Sequence, residues 1–222
     1  MTQELWTAVD QYINSTLIPS DPVLDVTLRT SVQAGLPHIQ VTPSQGKLLH
    51  LLARSIAARN ILEIGALGGY SGIWLARALP PGGRLVTLEA NAKHAEIARA
   101  NFARAGLADS IELRLAPALH TLPQLVREGR GPFDLIFIDA DKARMADYFD
   151  WTLKLSRPGT IMIADNVIRH GGVVEAASHD EDIQGVRRFN LRVASEPRVS
   201  ATEIQTVGSK GYDGFAFVLV LS

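Results

Sequence analysis

Short runs of apolar residues recur along the chain from residue 60 onward, and segments with helical spacing separate them. Each run has four or five residues and ends near glycine, proline or a charged residue, as buried parallel strands usually do. The intervening segment Asn91–Ala105 starts at an asparagine cap and stops at Gly106. This alternation predicts an α/β fold, with a mostly parallel sheet and helices on both faces. The predicted strands are Ile61–Ile64, Leu85–Leu88, Ile111–Leu115, Leu135–Ile138 and Ile161–Ala164.

The two ends of the chain have other patterns. The first forty residues combine short apolar periodic stretches with prolines at positions 19, 22 and 37, which predicts short helices broken by turns. Thr42–Gln45 matches a capping box that opens a further helix. Near the C-terminus, Thr202–Val207 and Phe215–Leu221 flank three glycines, which predicts an antiparallel hairpin. We expect one domain, residues 1–222, in which residues 1–42 are a helical segment. The apolar face of the capped helix is expected to be Leu48, Leu49, Leu52 and Ile56.

Composition narrows the class of protein. Of 222 residues, 46% are apolar and 20% are charged, as in ordinary globular proteins. A net charge of −1 does not favour nucleic acid as a partner, and the lack of cysteine excludes disulfides, thiolate metal sites and a cysteine nucleophile. The sequence shows no signal peptide and no apolar stretch of about 20 residues. We therefore expect a soluble cytoplasmic protein without a membrane partner.

A glycine-rich turn follows the first predicted strand. Residues 61–71, ILEIGALGGYS, contain that strand, glycines 65, 68 and 69, and the start of a helix. Glycine lets the main chain approach a ligand, and a helix N-terminus favours an anionic group. The dinucleotide fingerprint G-x-G-x-x-G is absent because Gly65 is followed by Ala66 and Leu67. The turn alone fits a nucleoside site and equally a tight turn without a ligand.

The next predicted strand ends at Glu89, about twenty residues after the glycines. In doubly wound folds an acidic residue at this place holds ribose hydroxyls. A lone strand-end carboxylate is as often simply solvated. Taken together, the glycine turn and Glu89 favour a nucleoside site.

Oxygen-donor side chains follow two other predicted strands. Asp139 comes directly after Leu135–Ile138, and Asp165 and Asn166 come after Ile161–Ala164. Parallel neighbouring strands present their carboxyl ends to the same crevice, so these three side chains should lie together. Two carboxylates and an amide suit Mg²⁺, Mn²⁺ or Ca²⁺. Acidic strand ends that cap helices or face solvent are the alternative interpretation.

Lys142 lies three residues after Asp139. A lysine beside a cation and partly removed from water can take a proton from a polarised hydroxyl, although most lysines are surface residues. His170, four residues after Asn166, is interpreted as a loop histidine near the site without a role in metal binding.

Three blocks of this sequence resemble the cation-dependent O-methyltransferases, which include catechol O-methyltransferase, plant caffeoyl-coenzyme A O-methyltransferases and bacterial relatives. The blocks are Glu63–Ser71, Phe137–Lys142 and Ala164–Val167, and the likeness runs from about Leu24 to the C-terminus. The resemblance implies a Rossmann-like sheet of seven strands with an antiparallel last strand, and S-adenosylmethionine as cofactor. It also implies a homodimer, with the N-terminal segment near the substrate.

The resemblance further implies site residues. Lys142 matches the catalytic base, and Asp139, Asp165 and Asn166 match the ligands of a divalent cation, with Mg²⁺ favoured over Mn²⁺ or Ca²⁺. The residues implied for the cofactor are Val41, Glu63, Gly65, Gly69, Ser71, Glu89, Ala118 and Asp139.

The sequence departs from the family pattern at three places. Ala66–Gly68 replaces a common threonine-phenylalanine-threonine, and Ala116 replaces a common glycine. Arg169 stands where an aromatic residue is common, which favours an unusual acceptor, including an anionic one.

The implied reaction moves a methyl group from S-adenosylmethionine to a hydroxyl of a vicinal-dihydroxy aromatic acceptor, a small phenolic compound. A nicotinamide-dependent oxidoreductase is the first alternative, and it leaves Asp165 and Asn166 unexplained. A metal-dependent hydrolase leaves the glycine turn and Glu89 unused. A non-catalytic S-adenosylmethionine-binding module would be expected to lack Lys142 or a metal ligand, and this sequence retains them.

Overall fold

The apolar runs of the sequence form the five parallel strands of a seven-stranded sheet in a computed structural model that describes residues 2–222. The strand order is β3-β2-β1-β4-β5-β7-β6. Strands β1 to β5 are parallel to one another, and β7 runs antiparallel to both of its neighbours, β5 and β6. The strands are β1 (Asn60–Ile64), β2 (Arg84–Glu89), β3 (Ile111–Leu115), β4 (Leu135–Ile138), β5 (Ile161–Asp165), β6 (Val199–Gly208) and β7 (Gly211–Val220). The predicted fold class and the antiparallel C-terminal strand are confirmed.

Eight α-helices surround the sheet, and most begin at a capped residue. The Asn91 side chain accepts from the main-chain N–H groups of Lys93 and His94, as the sequence predicted for an asparagine cap. Two short 3-10 turns, Lys142–Arg144 and Arg169–Val174, follow β4 and β5. The helices are α1 (Gln3–Leu17), α2 (Pro22–Gln33), α3 (Pro43–Ser55), α4 (Tyr70–Ala76), α5 (Ala92–Arg104), α6 (Ala118–Arg127), α7 (Met145–Lys154) and α8 (Glu181–Ala194).

Both faces of the sheet are covered because strand side chains alternate. In β1, Leu62 and Ile64 pack into the core that contains α6, α7 and α8, whereas Ile61 packs into the core that contains α3, α4 and α5. Burial on both faces explains why the runs in β4 and β5 are apolar throughout. β1 pairs with β2 on one side and with β4 on the other, so the strand order changes direction at β1. A crevice opens at that point beyond the carboxyl ends of the strands, where open α/β sheets bind ligands.

The N-terminal segment differs from its prediction in helix length. α1 has 15 residues and α2 has 12, and Pro22 opens α2 at its first turn, where a proline needs no amide hydrogen. Gln3 Nε2 donates to the Gly208 carbonyl oxygen (2.9 Å), and Asp10 Oδ2 accepts from the main-chain nitrogen of Ser209 (2.7 Å). α1 therefore holds the turn between β6 and β7.

The capping box at Thr42 forms only in part. Thr42 Oγ1 accepts from the main-chain nitrogen of Gln45 at 3.2 Å, as predicted. The Gln45 side chain, instead of returning to Thr42, lies near Asp165 at the end of β5 and opposes the rise in the pKa of that carboxyl. On α3 itself, Leu49 is buried, but Leu48 was wrongly assigned to the core and is exposed. Within residues 2–222, none of the helices has the length and apolar character needed to cross a membrane.

Candidate functional site

The glycine turn between β1 and α4 is shaped by close approaches of the main chain. Gly65 has φ +102°, and a Cβ there would collide with the carbonyl oxygen of Asp139 at the end of β4. Gly69, the N-cap of α4, has φ +85°, and a Cβ there would meet the Phe102 ring. Both positions need glycine, because side chains rarely tolerate this backbone region and neither site has space for one.

Gly68 lies where the glycine turn contacts α2. A Cβ on Gly68 would collide with Ser31 Oγ of α2, and the Gly68 carbonyl accepts from Asn101 Nδ2 at 2.8 Å. The N-terminal helix α2 therefore packs directly against the glycine turn. A larger residue at position 68 would displace the Ser31 hydroxyl, which donates to the Thr27 carbonyl oxygen at 2.8 Å.

Glu63 lies beneath the turn rather than on a cavity wall. It is fully buried in β1, and its carboxylate oxygens accept from Ser71 Oγ and Thr87 Oγ1, both at 2.6 Å. Burial raises the pKa of Glu63 to about 7, although the two hydroxyl donors lower it. Any effect of Glu63 on a cofactor would thus be indirect, through the turn that its hydrogen bonds stabilise.

Glu89 joins two loops at the carboxyl end of β2. Its Oε2 accepts from the main-chain nitrogen of Leu67 at 2.8 Å, and its Oε1 accepts from that of Asn91 at 2.9 Å. His94 Nδ1 lies 3.6 Å from Oε1. The carboxylate thus holds the glycine turn against the start of α5.

A cavity of about 840 Å³ opens between these loops. Tyr148 of α7, which sequence reasoning did not single out, also lines it, and its hydroxyl donates to Asp141 Oδ2 at 2.7 Å. Neither Glu63 nor Gly69 is on this wall. The cavity brings together the other residues implied for a cofactor, namely Val41, Gly65, Ser71, Glu89, Ala118 and Asp139.

The carboxyl ends of β4 and β5 bring two acidic side chains together, as their adjacency predicted. Asp165 is 6% exposed, and its pKa is raised to about 7 by burial and by the negative charge of Asp139. Gln45, which sequence reasoning placed only in a capping box, lies near Asp165 and opposes this rise in pKa. A cation placed between the two carboxyl groups would therefore stabilise their charged forms.

Lys142 is buried at the start of the first 3-10 turn, and its Nζ lies 2.9 Å from Asp139 Oδ1. A Cβ on Gly185 of α8 would collide with the Lys142 carbonyl oxygen. The glycine therefore allows α8 to pack on the main chain of the lysine. Sequence reasoning did not identify Gly185, because a glycine inside a helical pattern carries no sign of its distant partner.

The loop after β5 has three non-glycine residues in the left-handed region, with φ +58° at Asn166, +52° at Arg169 and +55° at His170. Asp213 of β7 stabilises the loop, since its Oδ1 accepts from the main-chain nitrogens of Ile168 (3.0 Å) and Arg169 (3.0 Å). The same oxygen accepts from the nitrogen of Gly214 at 2.9 Å. Asp213 thus sets the position of Asn166, a role that the sequence did not reveal.

A second cavity of about 600 Å³ lies on the other side of this loop. Asp165 lines it, and Asn166 and Arg169 line both cavities. Ile39 also belongs to both walls, so the segment before α3 borders the site. Lys210, from the turn between β6 and β7, extends the second wall.

The donor set fits a hard divalent cation. Across residues 2–222, no arrangement of three or more His, Cys, Asp or Glu side chains is suited to a metal ion. Asp139, Asp165 and Asn166 instead combine two carboxylates with one amide, which leaves coordination positions for water or another oxygen ligand. Burial raises the pKa of Asp165 because it disfavours the charged carboxylate. A positive charge beside this carboxylate would therefore be stabilising.

Comparisons with known proteins agree with this geometry. Residues 15–218 match the family model described as O-methyltransferase. A curated catechol O-methyltransferase from Niastella koreensis is 50% identical over 220 residues, covering 99% of this chain and 100% of the relative.

Solved structures give the same result. An O-methyltransferase from Bacillus cereus in complex with SAH superposes with a TM-score of 0.97 at 57% identity, covering 99% of this chain and 100% of the other. The O-methyltransferase TomG from Streptomyces achromogenes, involved in tomaymycin synthesis and solved in complex with SAM, has a TM-score of 0.97 at 50% identity, with full coverage of both chains (100% each).

Proposed function

Because the chain belongs to the O-methyltransferase family, we propose that it methylates one hydroxyl of a vicinal-dihydroxy aromatic acceptor with the help of a divalent metal ion. Family membership makes it an enzyme that transfers a methyl group from S-adenosylmethionine to oxygen. The observation that supports the more specific reaction is the cluster of Asp139, Asp165 and Lys142 at the carboxyl ends of β4 and β5.

The larger cavity is the proposed site of S-adenosylmethionine. Two similar proteins were solved with SAH or SAM, and in this chain the glycine turn and Glu89 border a cavity of about 840 Å³. Val41 and Ala118 would contact the cofactor from opposite loops, and Gly65 and Ser71 would lie against its amino-acid part. Glu89 would accept from the ribose hydroxyls. Glu63 and Gly69 would act by keeping the turn in shape.

Asp139, Asp165 and Asn166 would hold the metal ion, for which Mg²⁺ is the first candidate and Mn²⁺ or Ca²⁺ are alternatives. When bound, such a cation would supply Lewis acidity toward two neighbouring acceptor oxygens. The chain contributes a water-excluding wall at Asp165, which is 6% exposed, and fixes the adjoining loop through Asp213. This arrangement positions the acceptor, which is a large part of the catalytic effect in two-substrate reactions.

Lys142 is the proposed general base. Its Nζ lies 2.9 Å from Asp139 Oδ1, at the boundary between the metal ligands and the larger cavity. As the neutral amine it would take the proton of the attacking hydroxyl. The oxygen would then form its bond to the methyl carbon while the carbon–sulfur bond breaks, and the electron pair of that bond would neutralise the sulfonium.

We also propose a homodimer in the cytoplasm. α1 has no buried residue, and Leu5, Val9 and Tyr12 form an exposed apolar row at spacings of four and three residues. On the edge strand β6, Ile204 and Val207 are exposed as well. Apolar side chains exposed on a helix and an adjoining sheet edge favour burial against a second copy.

A methyl-transfer assay tests the proposal. The protein is incubated with labelled S-adenosylmethionine and catechol, with Mg²⁺ or with excess chelator. We expect labelled monomethyl product only with the metal. Asp165→Ala should lose this activity and still bind S-adenosylmethionine in calorimetry, because Asp165 is not on the wall of the larger cavity. Full activity in excess chelator would refute the metal-assisted reaction.

A further inference from the structure

The turn between β6 and β7 places Lys210 beside the metal-ligand cluster. Its backbone is held by α1, because Asp10 Oδ2 accepts from the nitrogen of Ser209, and Gln3 Nε2 donates to the carbonyl oxygen of Gly208. A Cβ on Gly208 would come within 2.7 Å of Asp10 Oδ2, so the helix and the turn are in close contact. The turn is therefore a fixed part of the cavity wall.

The Lys210 side chain points across this wall. Its Nζ donates to the Gln40 carbonyl oxygen in the segment before α3. Partial removal from water lowers the pKa of Lys210, while the negative charges of Asp139 and Asp165 raise it. A lysine ammonium has three donors, and Gln40 takes one of them. Two donors of a positive group thus remain for another partner.

Several charged groups of the second cavity already have partners within the chain. Asp213 accepts three main-chain N–H groups, and Asp10 accepts from the Ser209 nitrogen. The Arg169 NH2 group lies 3.0 Å from Asp182 Oδ2. The guanidinium that the sequence connected with an anionic acceptor is thus paired at one nitrogen, whereas its Nε has no hydrogen-bond partner. Lys210 forms no ion pair within residues 2–222 and faces the cavity with free donors.

We propose that Lys210 binds a carboxylate on the methyl acceptor, so that the enzyme prefers vicinal-dihydroxy aromatic carboxylates to neutral diols. The assignment rests on the proposed function and adds a substrate class to it. Lys210, Asp165 and Asn166 line the same cavity of about 600 Å³, which has room for one aromatic ring with substituents. The two hydroxyls would lie at Asp165 and Asn166, and the carboxylate would reach Lys210 at the hairpin turn.

The test compares 3,4-dihydroxybenzoate with its methyl ester. The two acceptors share the ring and both hydroxyls, and they differ in negative charge. For Lys210→Met we expect kcat/KM for the acid to fall about tenfold to a hundredfold, because a charge-assisted hydrogen bond is lost. The value for the ester should change by less than about threefold. The loss should appear mainly in KM, since the carboxylate is remote from the reacting hydroxyl.

Two further variants separate recognition from a structural role. Lys210→Arg keeps the charge and should retain most of the preference for the acid. Lys154→Met removes the same charge from α7, where Lys154 stacks 4.0 Å from the centre of the Trp151 ring, and should leave both acceptors unaffected.

Equal losses for the acid and the ester in Lys210→Met would overturn the assignment, because they would show that Lys210 only ties the hairpin to Gln40. An unchanged acid-to-ester ratio with normal methylation of both would overturn it too and would leave the proposed function standing. A wild-type protein that methylates neither acceptor would instead contradict the proposed function itself.

Discussion

Replacing Asp213 by alanine should disturb the loop that carries Asn166. One oxygen of Asp213 accepts three main-chain N–H groups, those of Ile168, Arg169 and Gly214. The loop holds left-handed backbone at Asn166, Arg169 and His170, which is costly for side-chain-bearing residues. Without the carboxylate, this conformation loses the acceptor that favours it.

The size of the effect follows from those hydrogen bonds. At about 1 kcal/mol each, three bonds contribute about 3 kcal/mol as an upper value, since they share one oxygen. For a protein of this length, that corresponds to a Tm lower by about 6–12 °C. Because Asn166 belongs to the proposed metal site, Mg²⁺ affinity should also fall, by about tenfold to a hundredfold.

Thermal unfolding followed by circular dichroism and Mg²⁺ titration of methyl transfer measure the two effects. Asp213→Asn is the matched control, because its amide oxygen can accept the same three bonds and should preserve most of the stability and Mg²⁺ affinity. An alanine variant with the Tm and the Mg²⁺ dependence of the wild type would refute the role given to Asp213.

Three further changes probe other parts of the site. Burial raises the pKa of Glu63 from 4.5 to about 7, so the folded protein retains a proton that the unfolded chain releases as pH rises through this range. The contribution of Glu63 to the free energy of unfolding of the metal-free protein should therefore fall by about 3 kcal/mol between those pH values. Glu63→Gln should remove that part of the pH dependence in denaturant titrations. Gly185→Ala should push α8 away from the Lys142 carbonyl and lower kcat, while calorimetry shows S-adenosylmethionine binding unchanged. Lys142→Met should lower the single-turnover rate far more than donor binding, with a deficit that shrinks as pH rises; an unaltered rate would exclude Lys142 as the base.

The local sequence pattern was enough to predict the parallel strands and the strand ends that carry the candidate metal ligands. Runs such as Leu135–Ile138 are apolar throughout because both faces of the strand are covered. Adjacent parallel strands end at one edge, so Asp139 and Asp165 could be placed together without a structure. The glycine turn was equally clear, because Gly65 and Gly69 occupy backbone conformations that favour glycine.

The parts that escaped prediction depend on contacts between distant segments. Asp213 reaches Arg169 across 44 residues, and Lys210 reaches Gln40 across 170. Glycine at 185 and glutamine at 45 gave no local sign of their partners. No periodicity in a short window encodes such pairs, because they arise only when the hairpin and the N-terminal helices pack around the sheet.

The sequence pattern also did not predict the direction in which some side chains point. The sequence placed Glu63 next to the glycine turn, but the hydroxyls of Ser71 and Thr87 hold its carboxylate beneath that turn. Leu48 was predicted to face the core, yet the buried face of α3 is formed by Gly46, Leu49 and Ala53. The error at Leu48 concerns which way a residue faces rather than which element it belongs to.

The central claim is that two neighbouring oxygens of the acceptor are held at Asp139, Asp165 and Asn166 while one of them is methylated. Single-turnover rates with catechol and with phenol, each in Mg²⁺ and in excess chelator, test it most directly. We expect catechol to react faster than phenol by several orders of magnitude in Mg²⁺, because a site built for two oxygens is left with unpaired polar groups when one is missing. This advantage of catechol over phenol should disappear when chelator removes the metal. Equal rates for the two acceptors, or an undiminished catechol rate in chelator, would contradict the claim.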